Sequence, residues 1–429
     1  MNNSGQAAYS HLIDVITKEA EPLLENNHKY DALIEKIGDS RFVLLGEATH
    51  GTEEFYQARI DISKRLIKEK GFMAIAIEGD WPDVYSIHRY VQGSGDKNNV
   101  ESALSSFTRF PTWMWHNKTI LSFLQWLRNY NDNLTDIEKI DLFGLDLYSF
   151  YDSMQAVIEY LERVDPTAAA HAKQRYACFD HVNSDPQKYG YLVQEGRKKA
   201  CTKQVIEQLM ELQHNAFEYL KKDGISVENE YFYALQNARL VKNAENYYRS
   251  MFDGHMSSWN NRDTHMAETL ENIADFLENR LKKPTKIIIW AHNSHIGDAR
   301  ATQMGESGEL NIGQLVRELH PEDTYSIGFS TYEGTVTAAS NWGAIGQIKN
   351  IVPGLEGSYE ELFHNISYDN FLLELRGNKT LEHYLQIPRL QRAIGVVYLP
   401  ETERLSHYYF TRLPYQFDCI VHFDKTSAV

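Results

Sequence analysis

Short apolar segments alternate along this chain with longer stretches that have helical periodicity. The segments Arg41 to Leu45, Met73 to Ile77 and Ile140 to Leu145 have the composition of buried strands. Strands that are separated by helices are typical of βαβ units, in which neighbouring strands run parallel. The alternation therefore predicts an α/β fold with a mostly parallel central sheet flanked by helices.

The middle of the chain lacks this alternation. No strand is predicted from Tyr151 to Leu281, where apolar residues instead recur at helical spacing. Further strands are predicted after it, at Lys286–Trp290, Thr324–Ser330, Gly395–Leu399 and Asp418–Phe423. We therefore predict an α/β core made of residues 1–150 and 284–429. A large helical insertion, residues 151–283, is expected to cover the carboxyl ends of the strands as a lid or cleft wall.

Charge and composition narrow the possible partners. The formal net charge of -16 disfavours binding to the phosphates of nucleic acid. Three cysteines do not suggest a disulfide framework, and no apolar run is long enough to span a membrane. Since the first ten residues also lack the features of a signal peptide, we expect a cytoplasmic protein without a membrane or nucleic-acid partner. The oligomeric state is left open.

Ionisable side chains follow four of the predicted strands. They are Glu47 and His50 after the first strand, Glu78 after the second, Asp146 after the third, and His292 and His295 after Lys286–Trp290. The carboxyl ends of parallel strands share one edge of a sheet, and ligands bind there. If the strands are parallel, these six residues line one crevice.

Each of these residues also has an ordinary structural interpretation. A carboxylate after a strand, such as Glu78 or Asp146, commonly caps the next helix. Arg59 could be a solvated charge on the helix that follows His50, although it could also reach back to a carboxylate. The functional hypothesis therefore depends on the convergence of several strand ends.

This set of residues suits the activation of water. An imidazole can accept a proton from water near neutral pH, and a neighbouring carboxylate orients it. A second imidazole can stabilise the oxyanion that forms when hydroxide adds to a carbonyl group. The chain has no G-x-S-x-G, P-loop, G-x-G-x-x-G or H-E-x-x-H motif, so we expect neither a serine hydrolase nor a nucleotide cofactor.

The same residues resemble the erythromycin esterase family. The similar segments are Gly46-Glu47-Ala48-Thr49-His50-Gly51, Arg59, Glu78, Asn261-Arg262-Asp263, Trp290-Ala291-His292-Asn293-Ser294-His295 and the stretch from Gly328 to Gly334. The resemblance runs from about residue 10 to residue 425. It implies metal-independent hydrolysis of a carboxylic ester, possible substrates including the lactone of a macrolide antibiotic. Some members are instead associated with succinoglycan biosynthesis.

The resemblance also implies roles for individual residues. His50 would be the general base, with Glu47 beside it and Glu78 supporting the base or the water. His292 and His295 would contact the developing charge, and Arg59 would position the acidic residues or the substrate. We assign substrate binding to three further residues, Asp146, Arg262 and Trp81.

Two other hypotheses use the same residues. In the first, Glu47, His50, Glu78, His292 and His295 are ligands of Zn²⁺ or Mn²⁺ in a metal-dependent hydrolase. In the second, the chain is a non-catalytic protein that binds a small ligand. A passive pocket has little use for so many buried titratable groups, because burying each one costs free energy unless it is paired. We therefore favour the cofactor-free ester hydrolase, whose only expected partner is a small-molecule ester or lactone.

Overall fold

The structure is a computed structural model. It describes residues 3–24, 28–94, 99–182, 185–223 and 228–429. The chain forms two compact units. The first, called the sheet unit, consists of Met1–Ala76, Tyr90–Asp141 and Pro284–Val429, and the second, called the helical unit, consists of Ile77–Arg89 and Leu142–Lys283.

Eleven strands occur in the described part of the chain. They are β1 (Glu21–Pro22), β2 (Phe42–Leu45), β3 (Ala74–Asp80), β4 (Asp141–Asp146), β5 (Ile287–Trp290), β6 (Thr324–Ala338), β7 (Gln347–Ile351), β8 (Asn370–Glu374), β9 (Arg389–Arg392), β10 (Tyr408–Thr411) and β11 (Cys419–Thr426). Strands β9 and β10 pair separately as a small antiparallel sheet. Both β3 and β4 begin in the sheet unit and end in the helical unit.

The main sheet of the sheet unit has the strand order β1-β8-β11-β6-β2-β5, with β7 paired to β6. Strand β2 runs parallel to β5 and β6, and β11 runs parallel to β6. The residues of β2 and β5 are buried and almost entirely aliphatic or aromatic, as expected for parallel strands that are covered on both faces. Their carboxyl ends, after Leu45 and Trp290, therefore lie side by side.

Helices cover the sheet and build the helical unit. Those in the sheet unit are α1 (Asn3–Glu19), α2 (Asp31–Ile37), α3 (Glu53–Lys70), α5 (Val100–Leu104), α6 (Lys118–Asn131), α14 (Asn293–Ile296), α15 (Gln303–Glu306), α16 (Ile312–Leu319), α17 (Tyr359–His364), α18 (Lys379–Tyr384), α19 (Glu403–Ser406) and α20 (Leu413–Gln416). Helix α4 (Trp81–Gln92) is shared between the units, and the helical unit adds α7 (Phe150–Val164), α8 (Pro166–Tyr176), α9 (Pro186–Gln194), α10 (Thr202–His214), α11 (Ala216–Asp223), α12 (Glu228–Ser250) and α13 (His255–Leu281). Among the helices of the described residues, none has both the length and the apolar composition needed to cross a bilayer.

The α/β fold class predicted from the sequence is confirmed, but the segment Gly395–Leu399 is not a strand. On either side of Gly395 the chain forms only two isolated bridges, Ile394 with Thr49 and Val397 with Ala339. Because these bridges go to different neighbours, no continuous ladder can form.

The expectation from the cysteine count also needs correction. Cys178 and Cys201 form a disulfide in the helical unit, and Cys419 is a buried free cysteine. An odd count excludes a fully paired set of cysteines, but it does not exclude a single pair.

We expect His265, on α13 of the helical unit, to make the stability of the protein depend on pH. Burial lowers the pKa of His265 to about 4, and its Nδ1 lies 2.9 Å from the side-chain nitrogen of Asn243. The unfolded chain binds this proton near pH 6.5, so the folded protein should lose stability as the pH falls from about 6.5 to about 4. We expect His265→Gln to remove part of this loss in thermal unfolding measured across that range. The exposed control His214→Gln should follow the wild type, and an unchanged pH dependence in His265→Gln would refute the assignment.

Candidate functional site

The backbone of the sheet unit brings the segments after β2 and β5 together. The Asn293 N–H donates to the Glu47 carbonyl at 2.9 Å. The side chain of Asn293 also donates to the Phe329 carbonyl at 2.7 Å and accepts from the Phe329 N–H at 3.2 Å. A Cβ atom at Gly46 would lie 2.1 Å from the side-chain oxygen of Asn293. Glycine is therefore required at position 46 for this close approach.

Glu47 is held by two cationic or basic partners. One carboxylate oxygen lies 2.8 Å from His50 Nδ1, and the other accepts a hydrogen bond from Arg59 Nη2 at 2.7 Å. The side chains of Glu47 and Arg59 are 1% and 0% exposed. A buried carboxylate needs such partners to remain ionised. The arrangement leaves Glu47 as a fixed negative charge beside the His50 ring.

Arg59 lies on α3, two turns after the helix begins, and reaches back to Glu47 as the sequence suggested. Its guanidinium carbon lies 4.5 Å from the ring centre of Tyr56 and 5.1 Å from that of Trp290. The Tyr56 hydroxyl donates to the His50 carbonyl at 3.0 Å, and the Trp290 indole N–H donates to Ser63 at 3.0 Å. Two anchored aromatic rings therefore fix the position of Arg59 by cation–π contact.

His50 and His292 come together although they are far apart in the sequence. Their ring centres are 4.8 Å apart, and the ring planes are inclined by 42°. His292 is the N-cap residue of α14, and His295 is buried within the same short helix. The expectation that the strand ends after β2 and β5 share one edge is thus confirmed for His50 and His292.

A second ionic cluster lies in the helical unit. Arg262, on α13, donates to Asp146 through Nε at 3.0 Å and through Nη2 at 2.5 Å, and Nη2 also donates to Glu78 at 2.7 Å. The Arg262 guanidinium carbon lies 5.0 Å from the Tyr148 ring centre. Burial would lower the pKa of Arg262, but the charges of Asp146 and Glu78 raise it well above its ordinary value. Arg262 is therefore a permanent cation shared by two carboxylates.

Trp81 is buried at the start of α4 among other aromatic side chains of the helical unit. Its ring is nearly parallel to that of Phe143 at a centre-to-centre distance of 5.8 Å. The indole N–H donates to the Tyr233 carbonyl at 3.3 Å. These contacts place Trp81 in an aromatic stack, and its assignment to substrate binding remains a prediction.

The geometry around Glu47 favours one protonation pattern of His50. An ionised carboxylate only accepts hydrogen bonds, so the His50 nitrogen that faces Glu47 carries the proton. The other ring nitrogen, Nε2, then has a lone pair that can accept a proton from water. Within the described ranges, no three His, Cys, Asp or Glu side chains converge as the ligands of a metal ion would. Because Nε2 keeps its lone pair while Glu47 orients the ring, the His50–Glu47 pair can act as an oriented general base.

Sequence reasoning did not identify three residues that shape this site. Tyr56, Asn293 and Ser294 hold His50, the loop after β5 and His292 in place. Asn293 and Ser294 lie between His292 and His295, and Tyr56 lies one helical turn before Arg59, which was the available signal. The direction of their side chains depends on the packing of segments that are distant in the chain.

Comparisons with known proteins give a consistent result. A family model described as erythromycin esterase matches residues 67–426. The chain is 24% identical over 326 residues to erythromycin esterase type II of Escherichia coli, covering 73% of this chain and 74% of that protein. A solved structure of a succinoglycan biosynthesis protein has a TM-score of 0.78 and 23% identity, covering 99% of both chains. The structure of an erythromycin esterase mutant in its open conformation has a TM-score of 0.66 and 20% identity, covering 94% of this chain and 95% of that one.

Proposed function

Because the chain belongs to the erythromycin esterase family, we propose that it hydrolyses a carboxylic ester with His50 as the general base. The observation that carries the proposal is the buried Arg59–Glu47–His50 line, with contacts of 2.7 and 2.8 Å. This line fixes the His50 proton on Nδ1 and leaves Nε2 as the base. Membership in the family supports the assignment of this chain as a hydrolase that acts on a small molecule.

The proposed reaction has two steps. First, His50 Nε2 takes a proton from water while the water oxygen forms a bond to the ester carbonyl carbon, giving a tetrahedral oxyanion. His292, whose ring centre lies 4.8 Å from that of His50, and His295, in the short helix that His292 caps, are assigned to stabilise this negative charge by hydrogen bonding. Second, the carbon–oxygen bond to the alcohol breaks, and the His50 imidazolium returns its proton to the leaving oxygen. The products are a carboxylic acid and an alcohol, or a hydroxy acid when the substrate is a lactone.

The second ionic cluster receives a supporting role in this proposal. We assign Glu78 to support the base or the water, and Asp146, Arg262 and Trp81 to substrate binding. What supports this assignment is the concentration of charge at the ends of β3 and β4, where Arg262 binds both carboxylates. Macrolide lactones are the first candidate substrates, because two similar proteins are named erythromycin esterases.

We expect the purified protein to add one water molecule to at least one member of a panel of macrolides, smaller lactones and aryl esters. Mass spectrometry measures the mass gain, and His50→Ala serves as the negative control. If the folded wild-type protein leaves every ester and lactone of the panel intact, the proposed ester hydrolysis is contradicted. Hydrolysis restricted to small esters would retain the reaction and exclude macrolides as substrates.

The same panel separates the metal-independent reaction from a metallohydrolase. Activity should survive prolonged chelation followed by dialysis, and elemental analysis should give no stoichiometric transition metal. Loss of activity that Zn²⁺ or Mn²⁺ restores would instead assign the buried Glu and His residues as metal ligands.

A further inference from the structure

Ser294 makes two contacts with the same atom of His292. The backbone N–H of Ser294 donates to His292 Nδ1 at 3.3 Å, and the Ser294 hydroxyl lies 2.8 Å from that nitrogen. The Ser294 backbone is itself held, because its carbonyl accepts a hydrogen bond from the side chain of Asn311 at 2.8 Å. Ser294 is therefore a fixed partner of His292.

These contacts determine which nitrogen of His292 carries a proton. A backbone N–H can only donate a hydrogen bond, so its 3.3 Å contact favours the tautomer of His292 with a lone pair on Nδ1. The hydroxyl can rotate to donate to the same nitrogen. A neutral imidazole carries one proton, and that proton is then on Nε2. Protonation of Nδ1 would direct its N–H toward the N–H of Ser294.

The neighbouring His50 has the opposite arrangement. Its Nδ1 faces the acceptor Glu47, so its proton is on Nδ1 and its lone pair is on Nε2. The two rings, 4.8 Å apart, therefore differ in what their Nε2 atoms can do. His50 can accept a proton there, while His292 can donate a hydrogen bond there.

We propose that Ser294 is a positioning residue that fixes His292 as a neutral hydrogen-bond donor through Nε2. This inference rests on the proposed ester hydrolysis, in which the oxyanion would accept that hydrogen bond. Ser294 acts through His292 and does not itself touch the reacting atoms. A donor fixed in place before the reaction requires no reorientation when negative charge develops.

The tautomer can be measured without any substrate. Imidazole nitrogen-15 NMR near neutral pH, with the His292 signals assigned by their loss in His292→Gln, should show a protonated Nε2 and an unprotonated Nδ1. In Ser294→Ala the backbone donor remains but the hydroxyl is lost, so we expect a mixture of tautomers. In Ser294→Thr, which keeps the hydroxyl, the wild-type pattern should return. A protonated Nδ1 in the wild type would overturn the proposal.

Kinetics provide the second readout on the ester that the wild type hydrolyses best. Loss of one neutral hydrogen bond should lower kcat about fivefold in Ser294→Ala, with little change in KM and recovery in Ser294→Thr. The control Ser406→Ala, at an exposed serine of α19, should retain wild-type kcat. Wild-type tautomer and kcat in Ser294→Ala would refute the role of the hydroxyl. If the wild type hydrolyses no ester, the proposed ester hydrolysis is refuted. The NMR measurement still determines which nitrogen of His292 carries the proton.

Discussion

Replacing His50 with alanine is expected to lower kcat/KM by about 10²- to 10⁴-fold, the usual contribution of a general base. The reason is geometric: among the groups around Glu47, His50 is oriented by a carboxylate on one nitrogen and leaves the other as a base. The measurement is the rate of ester or lactone hydrolysis, with circular dichroism and the melting temperature as tests of folding.

The control for this prediction is His116→Ala, at an exposed histidine of the sheet unit. It should leave both the rate and the melting temperature close to the wild-type values. A folded His50→Ala protein with wild-type turnover would show that His50 is not the general base.

Replacing Arg59 with methionine is expected to lower the free energy of unfolding by about 3–5 kcal/mol, as found when one partner of a buried ion pair is removed. Glu47 would remain buried with His50 as its remaining partner, and the cation–π contacts with Tyr56 and Trp290 would be lost. Chemical denaturation measures the change. Activity should also fall, because Glu47 would no longer be held against the His50 ring.

A matched control lies on the same helix. Arg65 pairs with Glu69 and Asp31 at the surface, so Arg65→Met should cost only about 0–1 kcal/mol. The double variant Arg59→Met with Glu47→Gln should recover part of the stability, since it removes the unpaired charge. A loss for Arg59→Met no larger than that for Arg65→Met would contradict the buried ion pair.

Much of the fold could be predicted because buried parallel strands leave a strong local signal. The aliphatic runs in β2 and β5 are such strands, and their parallel pairing follows from the helices between them. Strand β7 was missed because it is mostly exposed and has no alternation of apolar and polar residues. Pairing of exposed strands depends on the partner strand more than on their own composition.

The candidate site was predictable to the extent that it follows from strand ends. Glu47, His50 and His292 were selected because parallel strands end at one edge, and the structure brings these three together. The pairing of Arg262 with Asp146 could not be predicted, since the residues are 116 positions apart and no periodic pattern links them. The prediction that Glu78 and Asp146 share a crevice with His50 stays a prediction.

Hydrolysis in oxygen-18 water shows whether His50 delivers water to the carbonyl carbon of an ester. Tandem mass spectrometry of the product locates the heavy oxygen. We expect one oxygen-18 atom in the carboxylic acid group and none in the alcohol, at a rate that falls by about 10²- to 10⁴-fold in His50→Ala. Oxygen-18 in the alcohol, or the same rate of incorporation with and without His50, would contradict this mechanism.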